Sequence, residues 1–177
     1  MPKPGRGGVE VVEGDITKIE ADAIVNAANA GLAEGGGVCG AIFCAAGRDT
    51  LRRACQAIGR CPIGSAVITP AFGIETARHI IHAVGPVYAS HSSDEARRLL
   101  RSAYESAIEV AKRNGCTSIA FPAISTGIYG YPLEEACHEA ADVCRAKAGG
   151  MTIKLVAFDA RTAAALRKAV EHWREQR

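Results

Sequence analysis

Two stretches of the chain hold residues whose types and spacing could do chemistry. The first runs from Asn26 to Gly40 and contains Asn26, Asn29, the successive glycines Gly35, Gly36 and Gly37, then Val38 and Cys39. Glycine admits positive φ and lets a ligand approach where a Cβ would stand in the way. A glycine loop that feeds a helix start offers free N–H groups to an anion, and the helix dipole favours negative charge there. The stretch therefore reads as a phosphate cradle, with a plain surface loop as the competing reading. The second stretch, Phe121 to Pro132, carries Ser125, Thr126, Gly127, Ile128, Tyr129, Gly130 and Tyr131. Its backbone N–H groups and hydroxyls suit phosphate, and its aromatic rings suit a sugar face. Neither stretch contains Lys or Arg, so phosphate would be held by dipoles rather than by a point charge.

Smaller candidates are weaker. Asp15, in Gly14-Asp15-Ile16-Thr17, stands where a strand should end; it can accept from a ligand or cap the next turn. His79 and His82 differ by three within one strand candidate, so they point to opposite sheet faces and read as structural rather than as a joint metal site. The seven cysteines include no C-x-x-C pair and sit mostly among apolar residues, which predicts reduced core thiols and no zinc ribbon. Gly35, Gly37 and Gly40 match G-x-G-x-x-G, but Gly35 lies nine positions after Asn26. The acidic residue expected about 20 positions further on is also missing, which argues against a dinucleotide dehydrogenase.

The elements that must position these residues follow from periodicity. Strands are predicted over 9–12, 23–26, 65–69, 78–84, 117–121 and 152–158. Helices are predicted over 38–46 and 51–58, broken around Gly47-Arg48-Asp49, over 92–114, from Pro132 to the Gly149-Gly150 stop, and over 162–173 around Leu166, Ala169, Val170 and Trp173. Ser92 and Glu95 have capping-box spacing, and Asn114-Gly115 supplies a stop. Strands alternate with helices, so an α/β sandwich is expected. In such sheets ligands sit at the carboxyl ends of strands, and both glycine-rich stretches follow strands.

Composition bounds the rest. A chain of 177 residues fits one domain and can bury roughly 70% of its unfolded surface without staples. A net charge of +2 is too small to argue for nucleic acid. Residues 1–8, rich in glycine, proline and base, are expected to be a disordered tail, with one domain over 9–177. They form no signal peptide, and no run is long enough to span a membrane, so a cytoplasmic location is expected.

In this order, Gly14-Asp15-Ile16-Thr17, the stretch from Asn26 to Gly40, the stretch from Ile80 to Pro86 and the stretch from Phe121 to Pro132 resemble the macrodomain family, most closely its MacroD-like branch. The resemblance covers about Val9 to Ala165. It implies a three-layer α/β/α sandwich with a mixed, mostly parallel sheet and a cleft for ADP-ribose. By position, Asp15 should accept from the adenine amino group beside the Ile16 backbone, with Phe158 against the adenine ring. Gly36, Gly37, Val38 and the loop Ser125, Thr126, Gly127, Ile128 and Tyr129 should wrap the diphosphate and distal ribose. Asn29 should touch the ribose hydroxyls, and Asn26 should brace the loop. Hydrolases of this branch usually carry an aspartate after Gly-Gly-Gly-Val, and often a histidine four residues on. Here Cys39 and Phe43 stand there. The implied activity is hydrolysis of distal-ribose esters, on acidic side chains or in O-acetyl-ADP-ribose, with a positioned water whose proton passes to a ligand phosphate. Cys39 as nucleophile and a non-catalytic ADP-ribose reader are the alternatives. The implied partners are ADP-ribose and mono-ADP-ribosylated proteins, met by a monomer without cofactor or metal.

Overall fold

The computed structural model describes residues 7–175, with the side chains of 173–175 outside the description. Six strands, β1 (Gly8–Glu13), β2 (Ala23–Ala28), β3 (Ala66–Pro70), β4 (His79–Val84), β5 (Ser118–Phe121) and β6 (Thr152–Ala157), form one sheet in the order β1-β6-β5-β2-β4-β3. All neighbours are parallel except β3 against β4. Five helices flank it: α1 (Gly37–Ala46), α2 (Arg48–Ile58), α3 (Ser93–Arg113), α4 (Leu133–Lys147) and α5 (Ala160–Glu175).

Alternation along the strands decides the layers. Val25, Ile81, Ile119 and Leu155 face one way and pack with α3, α4 and α5. Ile24, Ile80, Ala120 and Val156 face the other way and pack with α1 and α2. Each fully buried Ile or Leu in these layers contributes about 1.5–3 kcal/mol. The result is the mixed three-layer α/β/α sandwich expected from the sequence.

Local signals explain most boundaries. The Ser92 hydroxyl accepts from the Glu95 N–H at 3.2 Å, and Ala96, Leu100, Ala103, Ala107 and Ala111 form the buried stripe of α3. Tyr104 and Ile108 also lie on that stripe, whereas Leu99 and Val110, at the same three-and-four spacing, are half-buried. Several boundaries shift, and two of the shifts have a visible cause. The helices α1 and α2 are broken by Gly47 alone, at φ 102°, so α2 begins at Arg48 rather than Leu51. β2 runs on to Ala28 because β4 offers Ala83 and Val84 as partners. Of the expected N-terminal tail, 1–6 lie outside the described residues, while Gly8 pairs with Thr152 inside the sheet. The expected inner position of Trp173 also lies outside the described side chains. Among the described residues no helix is long and apolar enough to cross a membrane.

Candidate functional site

Parallel strands bring their carboxyl ends to one rim, and a cavity of about 920 Å³ opens there. Asp15, Ile16, Asn29, Gly36, Gly37, Val38, Cys39, Ser125, Thr126, Gly127, Ile128, Tyr129 and Phe158 all line it. They come from four strand ends. β2 and β5 are adjacent, Ala23 opposite Ile119, and this places the two glycine-rich stretches across the cavity from each other. Asp15 and Asp159 are the charged residues of the lining, which contains no Lys or Arg.

The first wall is the start of α1. Its N-cap, Gly36, supplies no side-chain hydrogen bond, and Gly37 takes φ 57°, a conformation that favours glycine. The N–H groups of Gly37, Val38 and Cys39 donate to nothing among the described residues. Asn29 holds the loop that leads there. Its Nδ2 donates to the Ala33 carbonyl and its Oδ1 accepts from the Ala33 N–H, both at 3.0 Å. The bracing role expected of Asn26 therefore falls to Asn29. Asn26 is 1% exposed within β2, with its Nδ2 3.1 Å from His82 Nδ1. His82 Nε2 lies 3.0 Å from Thr69 Oγ1, and burial drives the imidazole pKa down to about 4. His82 is thus a structural histidine, and among the described residues no group of three potential metal ligands stands together.

Cys39 closes the same loop. Its Sγ accepts from the Gly35 N–H at 3.4 Å, lies 3.8 Å from the Ala33 carbonyl, and the residue is 6% exposed. Gly40 is required beneath it, because a Cβ there would stand 2.8 Å from the Gly35 carbonyl oxygen. Phe43, in the position of the family's frequent histidine, is buried in the core at 1% exposure. All seven thiols are free; Cys44 is exposed and the other six are buried.

The second wall is the loop after β5. Tyr104, buried in α3, ties it down: its hydroxyl donates to the Pro122 carbonyl at 3.2 Å and accepts from the Ile124 N–H at 3.1 Å. Ser125 sits at φ 68° and its Oγ donates to the Pro86 carbonyl at 2.8 Å. The Thr126 hydroxyl donates to the Ala123 carbonyl, also at 2.8 Å. Each hydroxyl has one proton to donate. Both hydroxyls donate within the protein and shape the loop. The N–H groups of Gly127, Ile128 and Tyr129 remain without partners among the described residues. Burial, and then the nearby Cys39 thiol, raises the Tyr129 phenol, which keeps it protonated.

At the adenine end proposed by the resemblance, Asp15 caps a short 3₁₀ turn. Its Oδ1 accepts from the Thr17 N–H at 2.9 Å and from the Thr17 hydroxyl at 2.7 Å. Capping occupies one oxygen, so the two readings of Asp15 are compatible. Phe158, 80% exposed, and Ile128, 92% exposed, stand on the rim. Sequence reasoning had not singled out Gly85, Tyr104, Asp159 or Thr162 at this site. Asp159 had a legible signal, since it precedes α5 and accepts from the Thr162 N–H at 2.8 Å as a helix cap does.

Comparison with known proteins agrees with this arrangement. The family model called Macro domain matches residues 25–140. The O-acetyl-ADP-ribose deacetylase of Salmonella gallinarum is 52% identical over 136 residues, 75% of this chain and 74% of that protein. The Oceanobacillus iheyensis macrodomain with ADP superposes with a TM-score of 0.91 at 36% identity, covering 99% of this chain and 96% of that one. The Trypanosoma brucei macrodomain in complex with ADP-ribose gives a TM-score of 0.79 at 34% identity, over 92% of this chain and 68% of that one. From its sequence, fold and cavity, this chain belongs to the macrodomain family.

Proposed function

We propose that this chain binds ADP-ribose in the 920 Å³ cavity and hydrolyses esters on the distal ribose, those of mono-ADP-ribose on acidic side chains and that of O-acetyl-ADP-ribose. One observation carries the reading. Among the described residues, unpartnered N–H groups of Gly37, Val38 and Cys39, and of Gly127, Ile128 and Tyr129, occur on two walls of a cavity lined by no cation. Such a site offers a diphosphate two sets of backbone dipoles, one at the start of a helix. The volume suits a nucleotide-sized ligand. The named deacetylase and the nucleotide-bound relatives support the same ligand class.

In this reading Asp15 and Ile16 hold adenine and Phe158 covers its ring. The Gly36-to-Val38 and Ser125-to-Tyr129 loops hold the diphosphate, and Asn29 sets the loop beside the distal ribose. The carboxylate ester is already an activated electrophile, so orienting a water in line with it supplies much of the rate. The water's proton passes to a phosphate oxygen of the ligand, since no acid stands at Cys39. The thiol bridges Gly35 and Ala33 within its own loop, which favours a packing role over a nucleophilic one.

The same replacement of the acid by Cys39 favours a second reading, a non-catalytic reader of ADP-ribose. One experiment separates them. Glutamate-linked mono-ADP-ribosylated protein and O-acetyl-ADP-ribose are each incubated with excess protein, and free ADP-ribose is measured over time. Release from either supports the hydrolase. Tight ADP-ribose binding with no release makes the chain a reader, and absence of ADP-ribose binding overturns both.

A further inference from the structure

Four strand ends meet the cavity in a fixed order. In the sheet β1, β6, β5 and β2 stand side by side and parallel, and residues beyond the carboxyl end of each line the cavity. On the ADP-ribose reading, Asp15 after β1 serves adenine, the Ser125-to-Tyr129 loop after β5 serves the diphosphate, and Asn29 after β2 stands by the distal ribose. The ligand has one further group, the adenosine ribose, between adenine and the diphosphate. The rim has one further strand end between Asp15 and the β5 loop, that of β6, and it brings Phe158 and Asp159 into the lining. Phe158 covers adenine, which leaves Asp159.

Glu13 pairs with Ala157, and the Gly14 N–H donates to the Ala157 carbonyl at 2.9 Å. Asp15 and Asp159 therefore each stand two residues beyond a matched pair on neighbouring strands. Asp159 caps α5, its Oδ1 accepting from the Thr162 N–H at 2.8 Å. That N–H, and then the Thr162 hydroxyl, hold the carboxyl below the usual carboxylate range, so it is charged at neutral pH. A carboxylate offers about four acceptor positions, and capping leaves room for a further donor. Where proteins hold dinucleotides, an acid accepts from the 2′-hydroxyl of the adenosine ribose, and an arginine replaces it where that hydroxyl carries phosphate. The chemistry belongs to the ribose and needs no particular fold.

We infer that Asp159 accepts from the 2′-hydroxyl of the adenosine ribose and thereby selects ADP-ribose over the form phosphorylated at that hydroxyl. The ligand being discriminated rests on the ADP-ribose reading above. Phosphate in place of the hydroxyl removes the donor and adds negative charge beside Asp159 and Asp15, in a cavity whose lining contains no Lys or Arg. Arg161, a cation near Asp159 but outside the lining, is the residue that would favour phosphate. The opposite preference therefore has its own cause and its own variant.

Calorimetry on ADP-ribose, its 2′-phosphate and its 2′-deoxy analogue tests this. Native protein should bind the phosphate at least about tenfold more weakly than ADP-ribose. It should bind the deoxy analogue about threefold more weakly, the scale of an exposed contact to a charge. Asp159→Asn keeps a good helix cap and removes the charge, so the penalty on the phosphate should shrink by about threefold or more. Asp159→Ala, checked by a thermal melt, should no longer distinguish ADP-ribose from the deoxy analogue. Arg161→Gln should leave the native preference in place. Native protein that binds the phosphate as tightly as ADP-ribose, or more tightly, overturns the assignment. So does full native discrimination in both Asp159 variants, which would make Asp159 a helix cap alone. Binding of ADP-ribose without discrimination sinks the role of Asp159 and leaves the ligand standing, whereas binding of none of the three sinks the ligand and this role with it.

Discussion

Gly85 and Ser125 approach so closely that a Cβ on Gly85 would stand 2.3 Å from the Ser125 Oγ and 2.5 Å from Ile124 Cγ2. Ile124 and Ser125 are both buried, and the Ser125 Oγ is held by the Pro86 carbonyl. They cannot swing away without moving the loop. Gly85→Ala should displace the wall that carries Gly127, Ile128 and Tyr129. We expect ADP-ribose affinity to fall at least about tenfold, near 1.4 kcal/mol, in a protein that still folds. Calorimetry and a thermal melt check this; native affinity would mean the loop plays no part in binding.

Asp15→Ala should weaken ADP-ribose binding by about 1.5–3 kcal/mol, the usual worth of a hydrogen bond to a charged group. Because Asp15 also caps its own turn through Thr17, Thr17→Ala is the control. It removes a partner of the cap and leaves the carboxylate. If both variants lose affinity equally, Asp15 acts through the turn and not on adenine.

Two glycine changes probe the walls separately. Around Gly127 a Cβ would meet nothing within 4 Å, so Gly127→Glu should fold normally and abolish binding by adding negative charge beside the diphosphate. At Gly37 the space is also open, but φ is 57°. Gly37→Val there should cost about 1–2 kcal/mol of backbone strain and distort the helix start. Circular dichroism must show both folded, and tight ADP-ribose binding by both would place the ligand elsewhere.

The mechanism turns on Cys39. Cys39→Ala should keep most of the hydrolysis, since the thiol fills space in its loop. Cys39→Asp should keep or raise it; a positioned general base is typically worth about 10²–10⁴-fold. Asn29→Ala should lower the rate strongly, because both ends of its amide hold the loop to Ala33. The readout is ADP-ribose release under excess enzyme. A dead Cys39→Ala that still binds ADP-ribose would replace the substrate-assisted water by a thiol mechanism.

Acid should destabilise the fold through His82. Its pKa falls from 6.5 to about 4 on folding, so the unfolded chain binds the proton more readily. The stabilising contribution is complete above about pH 6.5 and is lost as pH falls through about 4, roughly 3 kcal/mol in all. Urea unfolding across that window should show this slope. His82→Gln should lose that part of it, and an unchanged slope would shift the acid sensitivity to other groups.

The elements and the two glycine-rich loops were legible in the sequence because their causes are local. Spacing at three and four marks α3, capping chemistry marks Ser92, and glycines after an apolar run mark the start of α1. The alternation of strands and helices was enough for the sandwich, and the order of four motifs was enough for the family resemblance. Tertiary structure alone decided how the polar atoms are used. Whether Asn26 or Asn29 braces the loop depends on His82, 56 residues from Asn26, arriving beside it in the sheet. The hydroxyl of Ser125 is held by the Pro86 carbonyl, 39 residues earlier, through an approach that only Gly85 permits. Tyr104 anchors the loop from a position that reads in sequence as an ordinary helix residue. Periodicity records which side of an element is buried, whereas the partner of a buried polar atom is set by strand order and register, which bring distant residues together with no local trace.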